Sequence, residues 1–582
     1  MKHVGSPYNA SQALRAVLAE CLGATSSRRS SRHSLSRHEQ IRTFHEYFVT
    51  HLPSSSLSPD RAHPNQHKLP RSESQPHSGQ SGRSAAQVSS ASRDTTIVRI
   101  PIKSAKHHFG AGVSRGSRPY NEDTYQAGTI EIPAFAQRQP VSLSRRQKEG
   151  RDDGIAAKSE SGDPQVFYFG VFDGHGGSEC SEFLRDRLHG YVEEAALLFG
   201  MQSSLQRDSD SDVVDSEGGI MGAQDAEDLQ KSLVSSWKET VGGYFKRFKP
   251  EYFPAVASDP RATDESANTA NNSSIETVLM YAFLKADLDF TTAQASKHNQ
   301  SATSEDKNNA QSSLNDPVLD SVLSDRPLNE DDLLFHPEKP ASQNLRGIIS
   351  TQRRPSSSPD LKAPIGGRTR FKGGSTASIA LLSTPTPTPF WNPASPSTLI
   401  TAHVGDTRIL LCRTSDGKAH PLTTNHHPST PVEARRLRRY AASFVTDSFG
   451  EERVLGLANT RAFGDITSKR IGVSAEPQIL STPLNAAEYA FLVLTSDGVT
   501  GHLEDQEVVD IVKEARTPEE ASKELVKFAV EVSDSGADNA TALVVRLGGW
   551  ERRSEGGGGS LGTKEKRRWR WDEAMDPRRS RQ

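Results

Sequence analysis

The run Val166-Phe167-Tyr168-Phe169-Gly170-Val171-Phe172 leads straight into Asp173-Gly174-His175-Gly176-Gly177. A short apolar, aromatic and β-branched run bounded by glycine reads as a buried strand. Its end carries a carboxylate, conformationally free backbone and an imidazole. Acids recur at three further expected strand ends: Asn121-Glu122-Asp123, Thr495-Ser496-Asp497-Gly498 and Ala537-Asp538-Asn539. Carboxylates are seldom left at several strand termini without a cation to neutralise them. The pattern points to an enzyme that uses a divalent metal.

Length alone would allow several domains in 582 residues. With 34% hydrophobic residues, 33 prolines and a mean hydropathy of −0.62, much of the chain cannot bury a core. One catalytic domain interrupted by insertions is therefore expected. A formal charge of −3 argues for neither a nucleic-acid nor a membrane partner. Cys21, Cys180 and Cys412 form no even framework and no zinc spacing, which fits a reducing compartment. No apolar run approaches the ~20 residues that span a bilayer, so no membrane insertion is expected and a soluble chain is.

Residues 1–95 are rich in Ser, Arg, His and Pro and are expected to be disordered. Their start is basic (Lys2, Arg15, Arg28, Arg29, Arg32, Arg37) with Glu20 as its acid up to residue 38, and Leu14, Val17, Leu18, Cys21 and Leu22 share a helical face. That composition resembles a mitochondrial transit peptide, with a cytoplasmic chain carrying a disordered tail as the alternative. The folded domain is expected over 97–547, with insertions near 131–164, 201–228, 250–272 and 296–365. The second of these is dense in acid and reads as a solvated loop. Strands are expected at Phe109–Val113, Asp123–Ile130, Ser375–Leu382, Leu399–Val404, Arg408–Cys412, Ala490–Thr495 and Ala540–Leu547. Helices are expected around Cys180–Ala195, Leu233–Tyr244, Val508–Glu514 and Glu519–Val532. A further helix should open on a capping box formed by Ser273 and Glu276. Residues 548–582 read as a flexible basic tail. Strand runs grouped apart from helix runs favour an α+β sandwich over alternating βαβ units.

Mg2+ and Mn2+ take oxygen ligands, few of them from protein. Asp123, Asp173, Asp497 and Asp538 could supply them, and Gly174 lets its carbonyl approach closely. Taken singly, an acid such as Asp123 or Asp538 is better explained as a turn residue or helix cap; jointly that reading loses force, since Asp173-Gly174-His175-Gly176-Gly177 and Ser496-Asp497-Gly498 both end apolar strands. Beside such a cluster Arg118 could grip two phosphate oxygens at once, although it could also be an ordinary surface charge. His175 has the pKa range of a general acid for a leaving alkoxide, or could be a neutral hydrogen-bonding histidine.

The motifs resemble those of the type 2C, metal-dependent Ser/Thr protein phosphatases. Eight pieces occur in that family's order. They are Ser117–Asp123, Val171–Gly177, Gly373–Ala377, His403–Arg408, Leu457–Asp465, Ala475–Pro477, Leu494–Gly498 and Asp538–Thr541. The resemblance implies a central antiparallel β-sandwich flanked by helices on both faces, a four-layer αββα fold. It also implies two Mn2+ or Mg2+ ions per site and phosphoprotein substrates, in a monomer. Carried over, Asp173 bridges both ions, Gly174 ligates through its carbonyl, and Asp497 and Asp538 complete the protein ligands. Glu122 and Asp123 hold metal-bound waters or support the metal, Arg118 takes the phosphate, and His175 protonates the leaving Ser or Thr oxygen. Hydrolysis would be direct attack by the bridging water, without a phosphoenzyme.

Gly501 stands where the family has an acid that, with the counterpart of Asp406, holds a third ion; a third metal is therefore doubtful. Ala441-Ala442 replaces a usual Gly-Gly near the substrate flap. Arg461, Asp465 and Glu476 read as structural support. A scaffold that has lost catalysis is the competing possibility, but Arg118, Asp173, Asp497 and Asp538 are all present. A cysteine phosphatase is disfavoured, since Cys180 has its arginine, Arg185, one place too early.

Overall fold

The computed structural model describes residues 47–53, 95–101, 108–138, 163–205, 223–257, 274–295, 365–367, 370–438, 444–446, 452–454, 456–533, 536–553 and 559–575. In chain order, β1 (Tyr47–Pro53) pairs antiparallel with β2 (Thr95–Pro101). Then come β3 (Phe109–Ser114), β4 (Thr124–Ile130), β5 (Val166–Phe172), the two-residue β6 (Gly174–His175) and helix α1 (Glu179–Leu198). Helices α2 (Ala223–Thr240) and α3 (Ile275–Ala295) precede β7 (Gly374–Ser375), β8 (Ala377–Ser383), β9 (Ser397–Val404), β10 (Arg408–Arg413) and β11 (Ala419–Pro421). After α4 (Pro431–Arg438) follow β12 (Phe444–Thr446), β13 (Glu452–Val454), β14 (Phe463–Gly464), β15 (Gln478–Leu484) and β16 (Tyr489–Thr495). The chain closes with α5 (Asp497–Thr500), α6 (Asp505–Glu514), α7 (Pro518–Glu531), β17 (Ala540–Arg546) and α8 (Gly559–Ala574).

Two five-stranded antiparallel sheets, ordered β15-β9-β8-β5-β4 and β11-β10-β16-β17-β3, pack face to face. The period-two alternation of strand side chains decides the layers. Phe167, Phe169 and Val171 point between the sheets, against Leu411, Leu492, Leu494 and Leu543. Val166, Tyr168 and Phe172 point outward, into a cluster with Phe183, Leu184, Trp237 and Phe283 of α1, α2 and α3. On the far side Leu410, Phe491, Val493 and Val544 meet Val508, Val512, Leu525 and Phe528 of α6 and α7. The result is the expected four-layer αββα sandwich.

Several segments depart from the sequence expectations. β1 lies within 1–95, where disorder was expected. Helix α2 starts inside the stretch expected to be acidic loop, and Ile132, Ala134 and Ala136 are buried within the expected 131–164 insertion. Phe253 is buried, and a helical turn, Pro254–Ala257, follows it inside 250–272. Ser273 of the expected capping box falls outside the described residues; Ser274 Oγ accepts from the Thr277 N–H at 3.3 Å. The amphipathic segment at 14–22 and Ala441-Ala442 also fall outside them. The basic tail forms α8 rather than a flexible strand of chain. Arg567 reaches Glu514 and Glu524 and lies 5.0 Å from the Phe528 ring centre, and Arg570 pairs with Glu507 and donates to the His502 carbonyl at 2.8 Å. Among the described residues no helix is long and apolar enough to cross a membrane.

Candidate metal centre

The expected strand Ser375–Leu382 is broken at Thr376, and the break helps to build the site. Thr376 donates its N–H to the Asp173 carbonyl at 2.8 Å instead of to a ladder, and Ser375 Oγ donates to the same oxygen at 2.9 Å. The short strands on either side of this junction form a separate three-stranded sheet, β14-β7-β6, across the sandwich end. Asp173 is thereby fixed at the end of β5, with Gly174 and His175 on β6. A Cβ at Gly174 would lie 2.5 Å from the Glu122 carbonyl, so only glycine lets the two segments touch.

Asp497 opens α5 immediately after β16, and its N–H lies 3.4 Å from Asp173 Oδ2. Asp406 comes from the β9–β10 turn, where Gly405 adopts φ 105° and donates its N–H to His426 Nδ1 at 3.0 Å. Carboxylate oxygens of Asp173, Asp406 and Asp497 all lie within 4.8 Å of one another. Asp123 stands behind them: Ser496 Oγ donates to its Oδ2 at 2.8 Å, while its buried Oδ1 has no hydrogen-bond partner.

Electrostatics register the crowding. Burial first, and then the carboxylates of Asp497, Asp123 and Asp406, push Asp173 well above the usual carboxylate range. Burial and Asp406 push Asp497 up to about 7, and burial raises Asp123 to about 6. Asp406 behaves oppositely. Burial opposes its ionisation, but His427 Nε2, 3.2 Å away, and Asn459 hold it below its ordinary value. Like charges this close repel unless a cation or a proton compensates them. An all-oxygen donor set that includes an unpartnered buried carboxylate oxygen fits Mg2+ or Mn2+.

The remaining expected residues gather at the same end. Asp538 precedes β17 and forms an ion pair with Arg118 at 2.6 Å, both side chains being partly exposed. Glu122 donates its N–H to Asn539 Oδ1 at 2.8 Å, and its carbonyl accepts from Ser181 Oγ. His175 Nε2 is 2.9 Å from Asp465 Oδ1, and against the pull of burial this carboxylate raises the imidazole above its ordinary pKa. The structure therefore gives Asp465 a contact with the site that strand-end support did not anticipate. Asp406, expected only at a doubtful third metal, proves to converge with Asp173 and Asp497. The signal for both was in the sequence, as acids beside Gly405 and Gly464. His427 was not singled out at all.

Asp465 holds its position under strain, at φ 46° without being glycine. What over-determines it lies beneath. Asp287 of α3 accepts from the Gly464 N–H at 2.9 Å and pairs with Lys469 at 2.6 Å, both side chains fully buried, and Lys469 also donates to the Ala462 carbonyl at 2.8 Å.

A family model described as Protein phosphatase 2C matches residues 267–536. Protein phosphatase 2C homolog 4 of Schizosaccharomyces pombe is 30% identical over 459 residues, which span 78% of this chain and 84% of that protein. Protein phosphatase 1K, mitochondrial, of Xenopus laevis is 36% identical over 178 residues, 30% of this chain and 44% of that one. Protein phosphatase 2C homolog 1 of Schizosaccharomyces pombe is 39% identical over 150 residues, 26% of this chain and 40% of that one. The chain thus spans less than half the length of the last two. The near full-length match, on a sandwich whose end gathers these acids, shows that the chain belongs to the protein phosphatase 2C family of metal-dependent Ser/Thr protein phosphatases.

Proposed function

We propose that the chain hydrolyses phosphoserine and phosphothreonine in proteins with two Mn2+ or Mg2+ ions, held by Asp173, Asp497, Asp538 and the Gly174 carbonyl. Glu122 and Asp123 steady that shell. The convergence of Asp173, Asp406 and Asp497 within 4.8 Å carries this proposal. Gly501 offers no carboxylate beside Asp406 and Asp497, so two ions rather than three are proposed. When bound, two such ions supply a water of lowered pKa for in-line displacement at phosphorus, without a phosphoenzyme.

The side chains do the rest. Arg118 exchanges Asp538 for two phosphate oxygens, a move its half-exposed guanidinium can make without unpacking the core. His175 keeps one nitrogen on Asp465, which favours the protonated ring, and gives the proton of the other to the leaving oxygen.

Purified protein with Mn2+ should release phosphate from a phosphothreonine peptide and stop when the metal is chelated. No release under any divalent ion would leave the scaffold alternative standing. Arg118→Ala should mainly raise KM, because phosphate grip acts on bound substrate as well as on the transition state. His175→Gln should lower turnover of the peptide about 10²- to 10⁴-fold. It should cost much less with p-nitrophenyl phosphate, whose leaving group needs no proton. An equal loss on both substrates would remove the general-acid role.

We also propose mitochondrial targeting. It is supported by the basic, acid-poor residues 1–38 and by the name of the Xenopus laevis relative. A fluorescent fusion should reach mitochondria and become cytosolic without residues 1–40; cytosolic signal from the intact fusion would refute it.

A further inference from the structure

Arg118 stands on a loop that buries no apolar side chain. Arg115, Ser117, Pro119 and Tyr120 are exposed along with it, and Gly116 between them is half-buried. Such a segment opens easily unless hydrogen bonds hold it. Three of those bonds converge on the side chain of Asn539, which is 5% exposed and directly follows Asp538. Its Nδ2 donates to the Arg115 carbonyl at 3.0 Å and to the Tyr120 carbonyl at 3.1 Å, and its Oδ1 accepts from the Glu122 N–H at 2.8 Å. One planar amide thus ties the loop both before and after Arg118. A carboxamide offers two donors and an acceptor on a short side chain, whereas a carboxylate of the same shape has no proton for either carbonyl. The partners also fix which end is oxygen, since the N–H needs an acceptor and the two carbonyls need donors.

The main chain beside Asn539 completes the clamp. Ser117 donates its N–H and its hydroxyl to the Ala537 carbonyl, at 2.8 and 3.0 Å. Gly116, at φ 56°, lies so close that a Cβ there would be 2.3 Å from the carbonyl oxygens of Ala537 and Asp538. The Asn539 N–H donates to Asp538 Oδ1 at 2.7 Å, which leaves Oδ2 for Arg118 at 2.6 Å. Arg118 therefore has a fixed backbone, and only its side chain need move when phosphate replaces Asp538.

We propose that Asn539 is the positioning residue for phosphate capture, its amide holding the backbone under Arg118 where the guanidinium can grip two phosphate oxygens. Asn539 touches no reacting atom and acts through Arg118. A misplacement of about 1 Å caused from a distance can cost ~10²-fold. The inference rests on the phosphate-binding role proposed above for Arg118, and the test separates the two.

Asn539→Ala removes all three side-chain bonds without adding charge. Hydrogen exchange of the whole chain, read by mass spectrometry without substrate, should show segment 115–122 exchanging about tenfold faster or more, while β17 and α7 keep the parent's protection. With a phosphothreonine peptide and saturating Mn2+, KM and the inhibition constant of inorganic phosphate should both rise about 10- to 100-fold, with kcat changed by no more than about threefold. In the Arg118→Ala background the same substitution should add no more than about twofold, because the group it positions is already gone. A residue that merely supported the fold would cost as much in either background. Asn539→Ser takes its place if Asn539→Ala melts below the assay temperature. Unchanged exchange in the loop, or equal losses with and without Arg118, overturns the positioning role even if the parent is an active phosphatase. A parent inert toward every phosphopeptide sinks the phosphatase proposal instead. Calorimetry with inorganic phosphate and Mn2+ then reads the same weakening, and phosphate binding that is absent or indifferent to Asn539 overturns the positioning role.

Discussion

Asp173→Asn is expected to reduce hydrolysis of a phosphothreonine peptide by about 10³-fold or more while the protein stays folded. Losing one preorganised hydrogen-bond donor at a reacting centre commonly costs 10²–10³, and losing Asp173, which would help hold the ions, should cost at least as much. The stability half of the expectation follows from its surroundings. Burial and the neighbouring carboxylates of Asp497, Asp123 and Asp406 already disfavour its charged form. A neutral amide of the same shape relieves that repulsion and leaves the Asp173 carbonyl bonds to Thr376 and Ser375 intact. Thermal melting without added metal should therefore be unchanged or raised, as is common when a site's crowded charge is removed. Normal turnover in this variant, with Mn2+ saturating, would mean that Asp173 is only a turn residue.

Lys469→Met should destabilise the fold by about 3–5 kcal/mol, because it strands the Asp287 carboxylate without its cation in a fully buried site. Chemical denaturation measures this directly. The loss should reach the active end too. Asp287 also accepts from Gly464 N–H, and Gly464 precedes the strained Asp465 that holds His175. Removing both partners, as Asp287→Leu with Lys469→Met, eliminates the isolated charge and should recover a substantial part of the stability. A double variant no better than the single one would show that the pair's hydrogen bonds to Gly464 and Ala462, rather than the ion pair, hold the segment. A single variant as stable as the parent would remove the anchoring role altogether.

The sandwich was legible because its strands are short apolar runs bounded by polar or glycine-containing segments. Val166 to Phe172 looked uniformly apolar, as a strand covered on both faces must. The acids at strand ends were legible for a related reason, being polar residues directly after apolar runs. Other features depend on contacts remote in sequence. α8 is rich in Arg and Trp and has no strong apolar stripe; Glu507, Glu514 and Glu524 of other helices hold it. β1 is surrounded by Ser, Arg and Pro, and its partner lies beyond a long intervening stretch. The Asp465–His175 contact spans 290 positions and requires a left-handed backbone that no local pattern announces.

Anomalous diffraction from crystals grown with Mn2+ tests the central claim most directly. Two peaks are predicted, both within ~2.0–2.6 Å of protein oxygens, with Asp173 touching each and Asp497, Asp538 and the Gly174 carbonyl sharing the remainder. Density for manganese elsewhere, or none within reach of Asp173 at saturating metal, would contradict it.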